Sequence, residues 1–175
     1  RVWQVAVAEL DGDASSCDIV GGTYDGRGCA CSMEGKLRWE AGTGGFIFGL
    51  ATGDLDGDGC AEVAAASADG CVYLFGSMGK LLWKQDLKGV VTQVAIARLD
   101  GKSPVVLAGG ASRVLAAFSP EGRNVRDIDL GAYLAVLRTG DFDGDKADEV
   151  FVMTLAHSPP WGGYGVWLLK GRELK

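Results

Sequence analysis

The sequence predicts an all-β fold, a β-propeller of four blades with four short strands each, and three observations carry that prediction. The tripeptides Leu10-Asp11-Gly12, Leu55-Asp56-Gly57, Leu99-Asp100-Gly101 and Phe142-Asp143-Gly144 recur at intervals of 45, 44 and 43 residues. A second marker trails the first three at a steady distance: Glu34-Gly35-Lys36-Leu37-Arg38-Trp39, then Met78-Gly79-Lys80-Leu81-Leu82-Trp83, then Glu121-Gly122-Arg123-Asn124-Val125. Helical apolar periodicity is absent over any window of about 11 residues, while 28 glycines against 4 prolines suit strands joined by tight turns. Four units of one propeller domain follow, at about 1–45, 46–89, 90–132 and 133–175.

Each unit opens with a short apolar stretch, read as its first strand: 2–8, 46–51, 90–97 and 133–138. An acidic loop comes next. A second strand rich in β-branched and small residues follows at 19–22, 63–66, 105–109 and 150–154. Its small side chains (Ala64, Ala65, Ala66, Gly109, Gly110) fit close packing near a crowded centre. A Gly-containing turn leads to a third strand, clearest in Cys71–Phe75, and the Gly-Lys-Leu-x-Trp segment makes the fourth. Aromatics on the outer two strands (Tyr73, Phe75, Trp83, Trp167) are expected in the wider gaps between blades. The last unit ends at Lys175, where its Trp-bearing strand should begin, so the expected arrangement is an arc of a larger ring, or one completed by another chain.

The acidic loops carry the chemistry. In Thr52–Val63, carboxylates stand at Asp54, Asp56, Asp58 and Glu62, the first, third, fifth and ninth positions of a nine-residue loop, with Gly57 and Gly59 where the backbone must turn with positive φ. Such a loop concentrates negative charge with no resident base. A hard cation such as Ca²⁺ relieves that repulsion by collecting six to eight oxygens at about 2.3–2.6 Å, with the Cys60 carbonyl as a further donor. The fourth unit supplies Asp141, Asp143, Asp145, the Ala147 carbonyl and Glu149, with Lys146 in place of the second loop glycine. In the first unit Glu9, Asp11 and Asp13 fit, and one extra residue moves the last acid to Asp18. The third has Arg98, Asp100 and Lys102 at the corresponding positions, so a side-chain cation pairing with Asp100 is expected to stand in for metal there.

These loops, with Phe48-Gly49 ahead of the second, resemble the FG-GAP/VCBS-type repeat of integrin α-like propellers and of many bacterial and archaeal surface proteins. The GAP tripeptide itself is replaced by Ala65-Ala66-Ser67. The resemblance implies Ca²⁺ held on two blade loops, with a third possible at the first unit, and a role in binding or adhesion outside the cell or at its surface. An intracellular setting stays open. The Gly-Lys-Leu-x-Trp segments also resemble the Trp-bearing strands of quinoprotein-like propellers, which keeps a propeller enzyme (a dehydrogenase, or a polysaccharide lyase or hydrolase) as the second reading.

Composition narrows the partners. The net charge of −6 arises because more than half of the acidic residues sit in three loops, and the rest of the chain is mildly basic. No basic nucleic-acid footprint is present, no apolar run approaches the roughly 18 residues of a membrane span, and no secretory leader pattern is visible. Five cysteines (17, 29, 31, 60, 71) form no Cys-x-x-Cys pair, and the odd number leaves at least one thiol unpaired within the chain. One long connection, Leu155–Gly165, offers His157, Trp161 and Tyr164 as a stacking surface for a sugar or peptide. The leading expectation is a non-catalytic, Ca²⁺-stabilised module that recognises a protein or a glycan.

Overall fold

The computed structural model describes residues 1–13, 16–155 and 164–170. Among them it contains only strands, in four antiparallel sheets that follow one another along the chain. Blade 1 holds β1 (Val2–Ala8), β2 (Asp18–Thr23), β3 (Arg27–Ser32) and β4 (Leu37–Gly42). Blade 2 holds β5 (Ile47–Gly53), β6 (Glu62–Ser67), β7 (Cys71–Phe75) and β8 (Leu81–Asp86). Blade 3 holds β9 (Val91–Ala97), β10 (Val105–Gly110), β11 (Val114–Phe118) and β12 (Asn124–Asp129). Blade 4 holds β13 (Tyr133–Gly140), β14 (Glu149–Leu155) and β15 (Tyr164–Leu169). The first strand of each blade lies against the first strand of the next, which makes them the inner strands of an open propeller arc.

Alternation decides what each strand buries. The fourth strands read exposed-exposed-half-buried-exposed-half-buried-exposed in β8 and β12, as the outermost strand of a blade should. β6 and β7 are buried along their whole length, because the blades on either side cover both faces. The small residues expected at a crowded centre are there: Ala64, Ala65 and Ala66 are fully buried. Both outer faces of the arc expose apolar side chains. Val5, Val7 and Ile19 are exposed on blade 1, and Val166 and Leu168 on blade 4. Trp167, expected in a gap between blades, is instead 48% exposed. It belongs to the third strand of the last blade, where no further sheet covers it.

The Gly-Lys-Leu-x-Trp marker turns out to be an interlock between neighbours. The Trp39 indole N–H donates to the Ser77 carbonyl (2.8 Å), and its ring lies on Gly79 of the next blade. Trp83 repeats this one blade on, donating to the Pro120 carbonyl (2.8 Å) and covering Gly122. Both glycines have φ near +80° (77 and 81), and a Cβ on either would come within 2.7 Å of the indole. Glycine is therefore required twice over, by conformation and by space. A second clamp closes the other end of the first gap. The Gly44 N–H donates to the Tyr73 hydroxyl (2.9 Å), which donates to Asp69 (2.5 Å), itself paired with Lys84 (3.3 Å).

Removing the interlock has a size. Trp39→Ala is expected to lower stability by about 3–5 kcal/mol, as for other buried Trp truncations, read as a drop in thermal midpoint by circular dichroism. Gly79→Ala is expected to fall with it. Gly35→Ala, at a turn with similar φ but open space, should cost only about 1–2 kcal/mol. Equal losses at Gly35 and Gly79 would overturn the interlock.

Candidate metal and ligand sites on the blade loops

The loop between the first two strands of a blade buries little more than one leucine (Leu10, Leu55, Leu99), so most of its backbone must be held by hydrogen bonds to side chains. In blade 2 Asp54 accepts from the Gly57 (2.7 Å) and Gly59 (3.1 Å) N–H groups, Asp56 from Asp58 (3.1 Å), and Asp58 from Cys60 (2.7 Å). Blade 4 repeats the pattern residue for residue. Asp141 accepts from Gly144 (2.7 Å) and Lys146 (3.0 Å), Asp143 from Asp145 (3.2 Å), and Asp145 from Ala147 (2.8 Å). Lys146 takes the left-handed conformation of Gly59 (φ 72 against 88), so the backbone keeps its path at a cost of about 1–2 kcal/mol.

Each loop ends in a buried acid at the start of the second strand. Glu62 accepts from the Leu55 N–H (2.8 Å) and Glu149 from the Phe142 N–H (2.9 Å). Strand register makes Asp18 their counterpart: it faces Ala8 as Glu62 faces Gly53 and Glu149 faces Gly140. Two sets of carboxylates bring ligand oxygens within 4.8 Å of one another and could hold a metal ion: Asp54, Asp56 and Asp58, and Asp141, Asp143 and Glu149. The crowding has an electrostatic signature. Burial, with the charges of Asp56, Asp58 and Asp54 around it, pushes the Glu62 carboxyl above the usual range despite its backbone hydrogen bond.

The first loop resolves its repulsion differently. Arg38 donates to Asp18 (2.5 Å) and to Asp11 (2.6 Å), so a guanidinium joins two of the four predicted ligands. The N–H of Asp13, and then Arg38, hold the Asp11 carboxyl below its ordinary value. Glu9 accepts from Asp11 and Asp13 (2.9 and 3.1 Å), while its other oxygen and the second oxygen of Asp18 are buried without a hydrogen bond. Arg38 occupies the position that holds Leu82 in the second unit, so the marker motif gave no sign of a charge partner.

In the third loop Asp100 accepts from Lys102 and Ser103 (2.9 and 2.7 Å). Arg98 reaches beyond its own loop. Its guanidinium donates to the Asp54 carbonyl (3.3 Å), and its N–H donates to Asp148 (2.6 Å), whose own N–H returns to the Arg98 carbonyl (3.0 Å). The Ala61 N–H likewise donates to the Glu9 carbonyl (2.6 Å). The four loops are thereby tied into one belt around the arc.

Of the predicted ligand loop, His157 and Trp161 lie outside the described residues, and Tyr164 is described only as the first residue of β15. All five cysteines are free thiols, with Cys71 buried and Cys17 exposed.

Sequential antiparallel sheets around common inner strands, three of four strands and one of three among the described residues, define a β-propeller domain. The chain belongs to the lambda-carrageenase β-propeller domain family, whose model matches residues 18–141. Its curated relatives include the lambda-carrageenases of Pseudoalteromonas carrageenovora and Pseudoalteromonas sp., each 32% identical over 133 residues. Those matches take in 75% of this chain but only 14% of either relative. The fold also resembles BBS1N from its complex with ARL6DN (TM-score 0.68, 16% identity, 86% of this chain and 43% of that one). The V. cholerae biofilm matrix protein Bap1 is similar too (TM-score 0.61, 23% identity, 80% of this chain and 23% of that one).

The state of Glu62 gives a test. A raised folded-state pKa means its contribution to stability is full below the ordinary glutamate range and is lost as pH rises through the raised value. With a chelator present, Glu62→Gln keeps the acceptor for Leu55 while removing the charge. It is expected to raise the thermal midpoint at pH 7 and to flatten the decline seen as pH rises above the ordinary glutamate value. A lower midpoint throughout would show that the charge is already compensated.

Proposed function

We propose that this chain is a non-catalytic, cation-stabilised β-propeller module that recognises a glycan in the service of a polysaccharide-degrading protein. Membership of a family named for lambda-carrageenase carries this reading. The loop carboxylates support the non-catalytic part: those of Asp54, Asp56, Asp58 and Glu62 are each engaged with backbone N–H groups of their own loop, which suits holding a loop rather than exchanging protons with a substrate. The second reading, a polysaccharide hydrolase in its own right, is favoured by the same relatives and makes the opposite prediction. Migration of the chain through gels containing lambda-carrageenan is expected to be retarded, with no release of reducing ends over hours. Depolymerisation by the chain alone would establish the enzyme reading in its place.

The resident cation is proposed to be Ca²⁺, at the second and fourth loops. Hard carboxylate oxygens on flexible, glycine-bearing turns suit it, and the two clusters of converging oxygens support it. An ion that binds only the folded loops adds about 2.7 kcal/mol at a hundredfold excess over its Kd. Thermal midpoints should therefore fall in EGTA and recover with Ca²⁺, and Asp56→Asn with Asp143→Asn together should abolish the difference. Identical midpoints with and without chelator would remove the cation from the account. Adhesion and an extracellular setting extend the same reading and share its test in binding.

A further inference from the structure

The four inner strands share an irregularity. Each carries one extra residue against its partner strand: Trp3 in β1, Phe48 in β5, Thr92 in β9 and Ala135 in β13. A β-bulge breaks the strict alternation of side chains and re-aims the extra one, and bulges concentrate beside functional sites. These four repeat at the spacing of the blades, near the start of each inner strand. That is the end of the arc opposite the acidic loops. In blades 1 and 2 the re-aimed residues are aromatic, and two neighbours join them. Tyr24, in the turn between β2 and β3, stacks on Phe46 with ring centres 4.4 Å apart and planes 10° from parallel. Trp3 meets both edge-on at 5.4 and 5.5 Å, and Phe48 meets Phe46 at 4.4 Å.

This cluster is not a core. Trp3 is 52% and Tyr24 50% exposed, whereas Tyr73 and Phe75 of the neighbouring gap are buried. A polar rim adjoins it: Asp25 accepts from Thr23 (2.5 Å) and pairs with Arg27 (3.5 Å), both side chains being largely open to solvent. Flat aromatic surface edged by a carboxylate and a guanidinium matches a sugar ring, whose C–H faces stack on aromatics while its hydroxyls need donors and acceptors. Thr92 marks where the platform stops, since its hydroxyl is turned to the Leu134 carbonyl (3.3 Å) and the residue is buried.

We infer that Trp3, Tyr24, Phe46 and Phe48 form a stacking platform for a pyranose ring of a polysaccharide. Asp25 and Arg27 supply the hydrogen bonds at its edge. The inference rests on the glycan reading above and gives it a place.

The test compares variants of the whole chain in affinity gels containing lambda-carrageenan or a neutral galactan, with tryptophan fluorescence titration as a second readout. Trp3→Ala and Tyr24→Ala are expected to weaken binding by at least about tenfold, Trp3→Phe to restore part of it, and Trp167→Ala, a half-exposed Trp on another blade, to change nothing. Thermal midpoints identify any variant that fails to fold, in which case Tyr24→Ala and Trp3→Phe carry the reading. Wild-type chain that passes unretarded through both gels overturns the glycan reading and this platform with it. Wild-type chain that is retarded, with Trp3→Ala and Tyr24→Ala retarded equally, overturns the platform alone.

Discussion

An indole seated on a glycine is the contact on which this architecture leans. A propeller blade is a four-stranded sheet with two sides to cover, and it can do so only against other blades. The inner strands approach one another closely, but towards the rim the sheets splay and leave a gap. Trp39 and Trp83 fill that gap, and each hydrogen-bonds a carbonyl of the neighbouring turn, so a large apolar ring is buried without orphaning its N–H. The receiving glycines follow from it: any side chain at Gly79 or Gly122 would occupy the volume the ring needs. One contact thus accounts for the Trp, the Gly and their phase relative to each other, one blade apart.

Charge supplies the second constraint, in the loops that follow the inner strands. Carboxylates are drawn together in the loops because they cap backbone N–H groups that have no other partner, and the cost is mutual repulsion in a partly buried setting. The blades answer that cost in different ways. Blade 1 brings in Arg38 from its own fourth strand, and blade 3 places Arg98 between its neighbours, its guanidinium tied to the loop of blade 2 and its backbone N–H to Asp148 in blade 4. Blades 2 and 4 keep their oxygens converging. One loop design thus takes two forms: braced by a guanidinium where one is at hand, and left with converging oxygens that could hold a cation where none is.

The opposite end, where Asp25 and Asp69 are each paired with a base, carries the exposed aromatics. The acidic loops and the exposed aromatics thus lie at opposite ends of the inner strands, the kind of position where a rigid scaffold presents its loops.

How much of this was legible beforehand depends on distance along the chain. Strand positions, the four-unit division and the acidic positions are local facts: alternation has a period of two, turn chemistry spans four or five residues, and both leave a trace that repeats about every 44 residues. Asp18 could be placed as the last acid of a lengthened loop by the same reasoning, and its register agrees. The partners of Arg38 and Arg98, the seat of Trp39 and the grouping of Trp3 with Phe46 all join residues from separate strands or blades, and no period marks such pairs. Tertiary structure alone decided them, because a side chain's partner is set by how sheets pack and where a bulge turns it, while the order of residues sets only which face of its own strand it begins on.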